Sequence, residues 1–234
     1  MKFKQFFQYS FAILFLFGSH VIYSQETNLR SEFDFSQIDF SNDTSVALTG
    51  EWEFYWDTLL EPDGGSLNYS LEYLPGFWKN YGVNEHSAAG YATFKTRVKL
   101  SRDRPILAFQ LGDIHNSYNL YVNDKLVRSV GIVTKSIEGS VPKWVPQFIV
   151  LDDTSEILEI TLQVSNFHHR NGGVQHAIVL GNVDYLLSVK ESVSLADLLL
   201  GGSFMVIGLF FFGMYFFYQK DKSTKYFGLF CFSL

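Results

Sequence analysis

LEITLQVSNFHHRNGGVQH, Leu158 to His176, holds a strand and a loop in 19 residues. In its first half Leu158, Ile160, Leu162 and Val164 oppose Glu159, Thr161, Gln163 and Ser165. Alternation of period two puts one face on a core and the other in water, the signature of a strand in a one-sided sheet. The pattern then stops. Three histidines, an arginine and Gly172-Gly173 follow, a polar connection at the end of a strand.

The same alternation recurs on both sides. In EWEFYW (51–56) Trp52, Phe54 and Trp56 share a face; in ATFKTRVKL (92–100) Ala92, Phe94, Val98 and Leu100 do. ILAFQLG (106–112) is more apolar throughout, as a central strand is. YNLYVNDKLV (118–127) places Tyr118, Leu120 and Val122 on one face and ends in an Asn123-Asp124 turn. FIVL (148–151) and HAIVLG (176–181) add two short strands. Turn residues stand between them at Pro62-Asp63-Gly64-Gly65, Pro75-Gly76, 139–142 and Asn171-Gly172-Gly173. No helical period of useful length precedes residue 183. The predicted fold class is all-β, a sandwich of seven or eight antiparallel strands. Alternation alone does not separate a jelly roll from an immunoglobulin topology, although no cysteine pair flanks a tryptophan as the latter would require.

The two ends of the chain speak of a membrane. MKFKQFFQYSFAILFLFGSHVIYSQET opens with Lys2 and Lys4, continues with an apolar run at 11–17 and reaches small Ser24. That is the layout of a secretory signal peptide over residues 1–24, with an apolar run too short to span a bilayer. LLLGGSFMVIGLFFFGMYFF, Leu198 to Phe217, carries no charge over 20 residues. At the rise of a helix that is about 30 Å, the thickness of the hydrocarbon core. Lys220, Lys222 and Lys225 follow it, so the positive-inside rule puts this tail in the cytoplasm and the body outside the inner membrane. The predicted organisation is a signal peptide (1–24), an exported sandwich (25–182), a helix or short linker (183–197) and a transmembrane helix (198–218). YFGLFCFSL (226–234) reads as the start of a second span that the sequence cuts short.

Composition narrows the partners. Residues 25–190 hold 21 Asp plus Glu against 13 Lys plus Arg, a net of −8. That balance excludes nucleic acid and an anionic lipid surface as partners of the body. The one cysteine, Cys231, lies in the last apolar run, so no disulfide supports the exported part. The spacing calls for no cofactor, and the oligomeric state is open, a homodimer included.

GEWEFYWDTLL (50–60), LPGFW (74–78), GYATFKTRVKL (90–100), YNLYVNDKLV and LEITLQVSNFHHRNGGVQHAIVLG (158–181), in this order, resemble a bacterial receptor family: the seven-transmembrane receptors with diverse intracellular signalling modules. The resemblance covers residues 45 to 234. Their periplasmic jelly-roll domain is similar to the galactose-binding-like domains of β-galactosidase-type enzymes. The resemblance implies a periplasmic sensor in the inner membrane, further spans, and a cytoplasmic output such as a histidine kinase, a diguanylate cyclase or a phosphatase.

Four readings of the polar loop remain open. As a metal site, His168, His169 and His176, with His115, would supply imidazoles, but adjacent histidines on extended backbone diverge and no cysteine joins them. As a catalytic site it lacks the paired carboxylates of a glycosidase, since no acid lies between Glu159 and Asp184, and no G-x-S-x-G motif appears. As a ligand site it offers planar hydrogen-bonding groups, Asn166, His168, His169, Arg170 and Gln175, beside Asp113, His115 and Asn116 at the end of another strand. Trp78, Tyr118 and Trp144 would supply the aromatic faces on which a sugar stacks. As plain structure, Asn171-Gly172-Gly173 makes a tight turn and the polar side chains cap backbone groups. The expected function is binding of a carbohydrate or similar small polar ligand by a membrane receptor, with no enzyme activity in these residues. The alternative is a module that binds a protein or the cell wall without a pocket.

Overall fold

The structure, a computed structural model, describes residues 31–61, 68–82, 86–112, 114, 116–217 and 222–233. The predicted signal peptide and the turn at 62–65 lie outside the described residues. The chain divides into two compact units at Val183.

The first unit is built of strands: β1 (Glu32–Phe35), β2 (Ser45–Ala47), β3 (Gly50–Trp56), β4 (Ser70–Leu74), β5 (Gly76–Phe77), β6 (Gly90–Leu100), β7 (Leu107–Leu111), β8 (Ser117–Val122), β9 (Lys125–Val130), β10 (Gln147–Val150), β11 (Ile157–Asn166), β12 (Gly173–Val174) and β13 (Val179–Asn182). One sheet runs β4-β3-β6-β11-β8-β9, with β1 parallel to the last four residues of β6. A second runs β10-β7-β13-β2, and β12 pairs with β5 in a two-stranded ribbon. The arrangement is a β-sandwich with a single core.

The spine of the large sheet is the antiparallel pair β6 and β11, in register from Lys99↔Ile157 to Gly90↔Asn166. Its inward residues Phe94, Val98, Leu158, Ile160, Leu162 and Val164 are fully buried, in one cluster with Phe109 of β7 and Leu180 of β13. Each such side chain contributes about 1.5–3 kcal/mol over its exposed state. The outward residues depart from the alternation: Thr93, Thr161 and Gln163 are buried as well. The chain after β3 covers them. Thr93 Oγ1 donates to the Thr58 carbonyl at 2.8 Å and accepts from the Leu60 amide at 3.0 Å, while Gln163 Nε2 donates to the Leu60 carbonyl at 2.7 Å. Two outward polar side chains, Thr93 and Gln163, thus become anchors for a strap, and no local pattern announces that.

Asn123 and Asp124, at φ 47° and 63°, form the tight turn between β8 and β9. Left-handed geometry at both positions matches the twist of a two-residue hairpin.

The sandwich has two distinct ends. At one, the start of β11 meets the end of β6 and the start of β7, and the Val183 amide donates to the Ile106 carbonyl at 3.2 Å, where the chain leaves the body. At the other lie Asn166, Gly90 and Ser117. Ten residues of β11 separate the ends, about 30 Å.

The second unit is helical. α1 (Val183–Phe217) runs 35 residues, about 52 Å, so residues 183–197 are helix throughout. Among the described residues it is the one helix long and apolar enough, by length and composition, to cross a membrane. α2 (Lys222–Ser233) packs back on it through glycine. A β-carbon on Gly208 would lie 3.2 Å from the Gly228 carbonyl oxygen, and one on Gly228 would lie 3.1 Å from the Gly208 oxygen. Phe211 and Phe227 stack edge to face beside this crossing, ring centres 4.6 Å apart.

Candidate functional site at the loop end

The loop after β11 is held by one side chain. Asn166 is 2% exposed; its Nδ2 donates to the carbonyls of Ala88 (2.8 Å) and His169 (2.7 Å), and its Oδ1 accepts from the His169 amide (2.9 Å). Trp78 Nε1 donates to the same Ala88 carbonyl at 3.2 Å, tying two loops to one acceptor. The turn then closes on the indole of Trp78. Gly172 lies so near the ring that no β-carbon fits there, and Gly173, at φ 120°, lies against the Gly76 carbonyl. Only glycine meets both demands without strain.

On this frame stand the polar groups. His168 Nε2–H donates to the Ser140 carbonyl at 3.1 Å, and His169 Nδ1–H to the Asn171 carbonyl at 3.0 Å. Lys79, just after β5, donates to Asn171 Oδ1 at 2.9 Å. The ring of Trp144, 61% exposed, stands edge-on 6.5 Å from that of His169. Arg170 is exposed. Asn116 is fully buried and donates from Nδ2 to the Gly173 carbonyl at 3.0 Å. The long connection 131–146 closes over this end: Ser117 Oγ donates to the Val141 carbonyl at 2.8 Å and the Thr134 amide to Ser165 Oγ at 3.3 Å.

Seven residues singled out from the sequence therefore share one end of the sandwich: Asn116, Trp144, Asn166, His168, His169, Arg170 and Gln175. Asp113 and His115 lie outside the described residues. Trp78 and Tyr118, expected as stacking platforms, belong to the core. Trp78 is wedged beneath Gly172 with Trp56 5.2 Å away, and Tyr118 is 1% exposed on the inward face of β8. Neither offers a ring to a ligand, and burial pushes the Tyr118 phenol up to about 12. Lys79 and Ser140 were not legible as members of the site. Each arrives from a distant connection, and only the fold brings it to Asn171 or His168.

The end is also under-satisfied. Among the described residues, Asn116 Oδ1, Ser140 Oγ and Gln175 Nε2 are buried polar atoms without a hydrogen-bond partner, as are Trp52 Nε1 and Tyr118 Oη in the core. Native folds leave few such atoms, because each forgoes its bonds to water. No group of three His, Cys, Asp or Glu among the described residues is placed to hold a metal ion.

No protein-family model and no curated protein sequence matches the chain. Solved structures that match part of the chain include a β-glucuronidase from an uncultured Clostridium (TM-score 0.49, 11% identity, 61% of this chain, 30% of that one). A Faecalibacterium prausnitzii β-glucuronidase gives 0.45 at 11% identity, over 58% of this chain and 31% of its own. The GH2 β-galacturonidase of Eisenbergiella tayi bound to galacturonate gives 0.42 at 17% identity, over 59% and 24%. The chain thus spans a third or less of the length of these proteins.

Proposed function

We propose that the sandwich is the exported ligand-binding region of a multispan membrane receptor. It takes a carbohydrate or similar small polar ligand at the loop end, and α1 carries the event into the membrane. On this reading the sandwich is a jelly roll of galactose-binding-like type in the bacterial periplasm, α1 and α2 are inner-membrane helices, and the output domain is cytoplasmic. We assign no catalysis to these residues.

The observation that carries the reading is exposed Trp144 standing against His169 on a polar loop clamped by Asn166, with Arg170 exposed next to it. A sugar needs both an aromatic face and unspent hydrogen-bonding groups. The site also lies at the end opposite the one where Val183 leaves the body. The test is thermal unfolding of the full chain in nanodiscs against a saccharide panel. A ligand at a hundred times its Kd adds about 2.7 kcal/mol, hence a rise of roughly 5–10 °C. The rise is expected to vanish in W144A. A panel without any stabilising saccharide would count against the proposal.

A second reading, a protein-binding module, is favoured by one feature. Ile132, Ile137, Val141, Trp144 and Val145 are all exposed on one connection. Their substitution by serine would then abolish capture of a protein partner and leave saccharide binding intact.

A further inference from the structure

We infer that the loop-end site selects an anionic saccharide, one bearing carboxylates. The inference rests on the binding reading above and adds the charge of the ligand.

The body is acidic, yet its loop end is not. Residues 78–80, 113–117, 131–146 and 166–176 hold Lys79, Lys135, Lys143 and Arg170 against the two acids Asp113 and Glu138. None of these four cations makes an ion pair among the described residues. Along the β6 side of the large sheet the cations are spent: Lys95 and Arg97 on Glu159, Lys99 on Asp34 and Arg102 on Glu156. Lys125 and Arg128 of β9 likewise form no ion pair among the described residues, but the loop end gathers four cations, which favours anions there over the rest of an acidic body.

Geometry narrows the four to two. Lys79 is fixed by its bond to Asn171 Oδ1 and keeps two further N–H donors. Arg170 is next in sequence to that asparagine and exposes a planar fork suited to a carboxylate. His169, on the other side of Arg170, carries Trp144 against its ring. A pyranose stacked on Trp144 thus has Arg170 next in sequence to His169, and Lys79 bonded to the residue after that. Simple polyanion attraction would not need the exposed aromatic face of Trp144.

The test uses the full chain in nanodiscs and three probes: a galacturonic acid trisaccharide, its methyl ester with the same backbone and no charge, and dextran sulfate. The acid is expected to bind at least roughly tenfold more tightly than the ester, the order of two exposed charge pairs. Addition of 0.5 M salt lowers its affinity and leaves that of the ester. R170Q, and more fully K79Q/R170Q, brings the acid down to the ester's affinity at unchanged melting temperature. Equal binding of acid and ester overturns the charge selectivity and leaves the saccharide reading standing. Binding of dextran sulfate as tight as that of the acid overturns it in favour of generic polyanion attraction. If no saccharide of either charge binds, the underlying reading fails and the inference with it.

Discussion

Gly172 lies flat against the indole of Trp78, closer than any β-carbon could approach. The histidine loop is therefore seated on a rigid core residue. G172A must displace either the ring or the loop, and over-packing of this kind costs about 1–3 kcal/mol. Chemical denaturation of G172A should show that loss, and saccharide binding should weaken with it. An unchanged midpoint would mean that the loop is not seated this way.

Asn166 is the second fixture. N166A removes three part-buried hydrogen bonds and leaves the Ala88 and His169 backbone groups without this partner. At about 1–3 kcal/mol for an unsatisfied buried group, a loss of roughly 3 kcal/mol is expected. Hydrogen exchange should show faster exchange at 166–173, with the strand end at 157–160 unaffected.

The crossing of α1 and α2 offers a paired control. G208L places a side chain where the Gly228 carbonyl stands, whereas nothing lies within 4 Å of a β-carbon at Gly201. Small residues let helix backbones approach in lipid. Cross-linking of cysteines introduced at Phe211 and Phe227, whose rings pack together, should fail in G208L and persist in G201L.

Acid should release β1 before the core. Hydrogen bonds from the Ser36 hydroxyl and amide, and then from Lys99, hold the Asp34 carboxyl down at about 2 against an ordinary 3.8. A depressed carboxyl contributes stability above its unfolded value, and that contribution is lost as pH falls through the folded one. The β1–β6 pairing should therefore hold near pH 5 and weaken progressively from pH 4 towards pH 2. The amides of 97–100 report it, and D34N should show no such acid-dependent step.

Much of this fold could be read before the structure, and particular residues show where reading ended. Leu158 to Val164 and Ala92 to Leu100 alternate cleanly, so both spine strands were legible. β1, β2 and β4 were not: they are three to five residues long, and their pairing partners lie far off in sequence. Tyr118 is instructive. Its place beside Leu120 and Val122 already made it a core residue, and that pattern outweighs its suitability as a sugar platform. Trp78 sits in a single 3-10 turn with no period to follow, so its burial was invisible. The polar loop was legible as a loop. That Asn166 would be its buried clamp, and Lys79 its neighbour, depends on contacts across 78 and 92 positions.

The central claim, that the loop end binds the ligand, is tested most directly by the tryptophan indole N–H resonances of the full chain in nanodiscs. The chain has four tryptophans, Trp52, Trp56, Trp78 and Trp144, and Trp144 is the one largely exposed. Titration with a stabilising saccharide should move the Trp144 resonance first and most, with backbone shifts at 168–171 and none at 102–107. Shifts centred on 102–107, or a saccharide that binds without moving Trp144, would contradict the account.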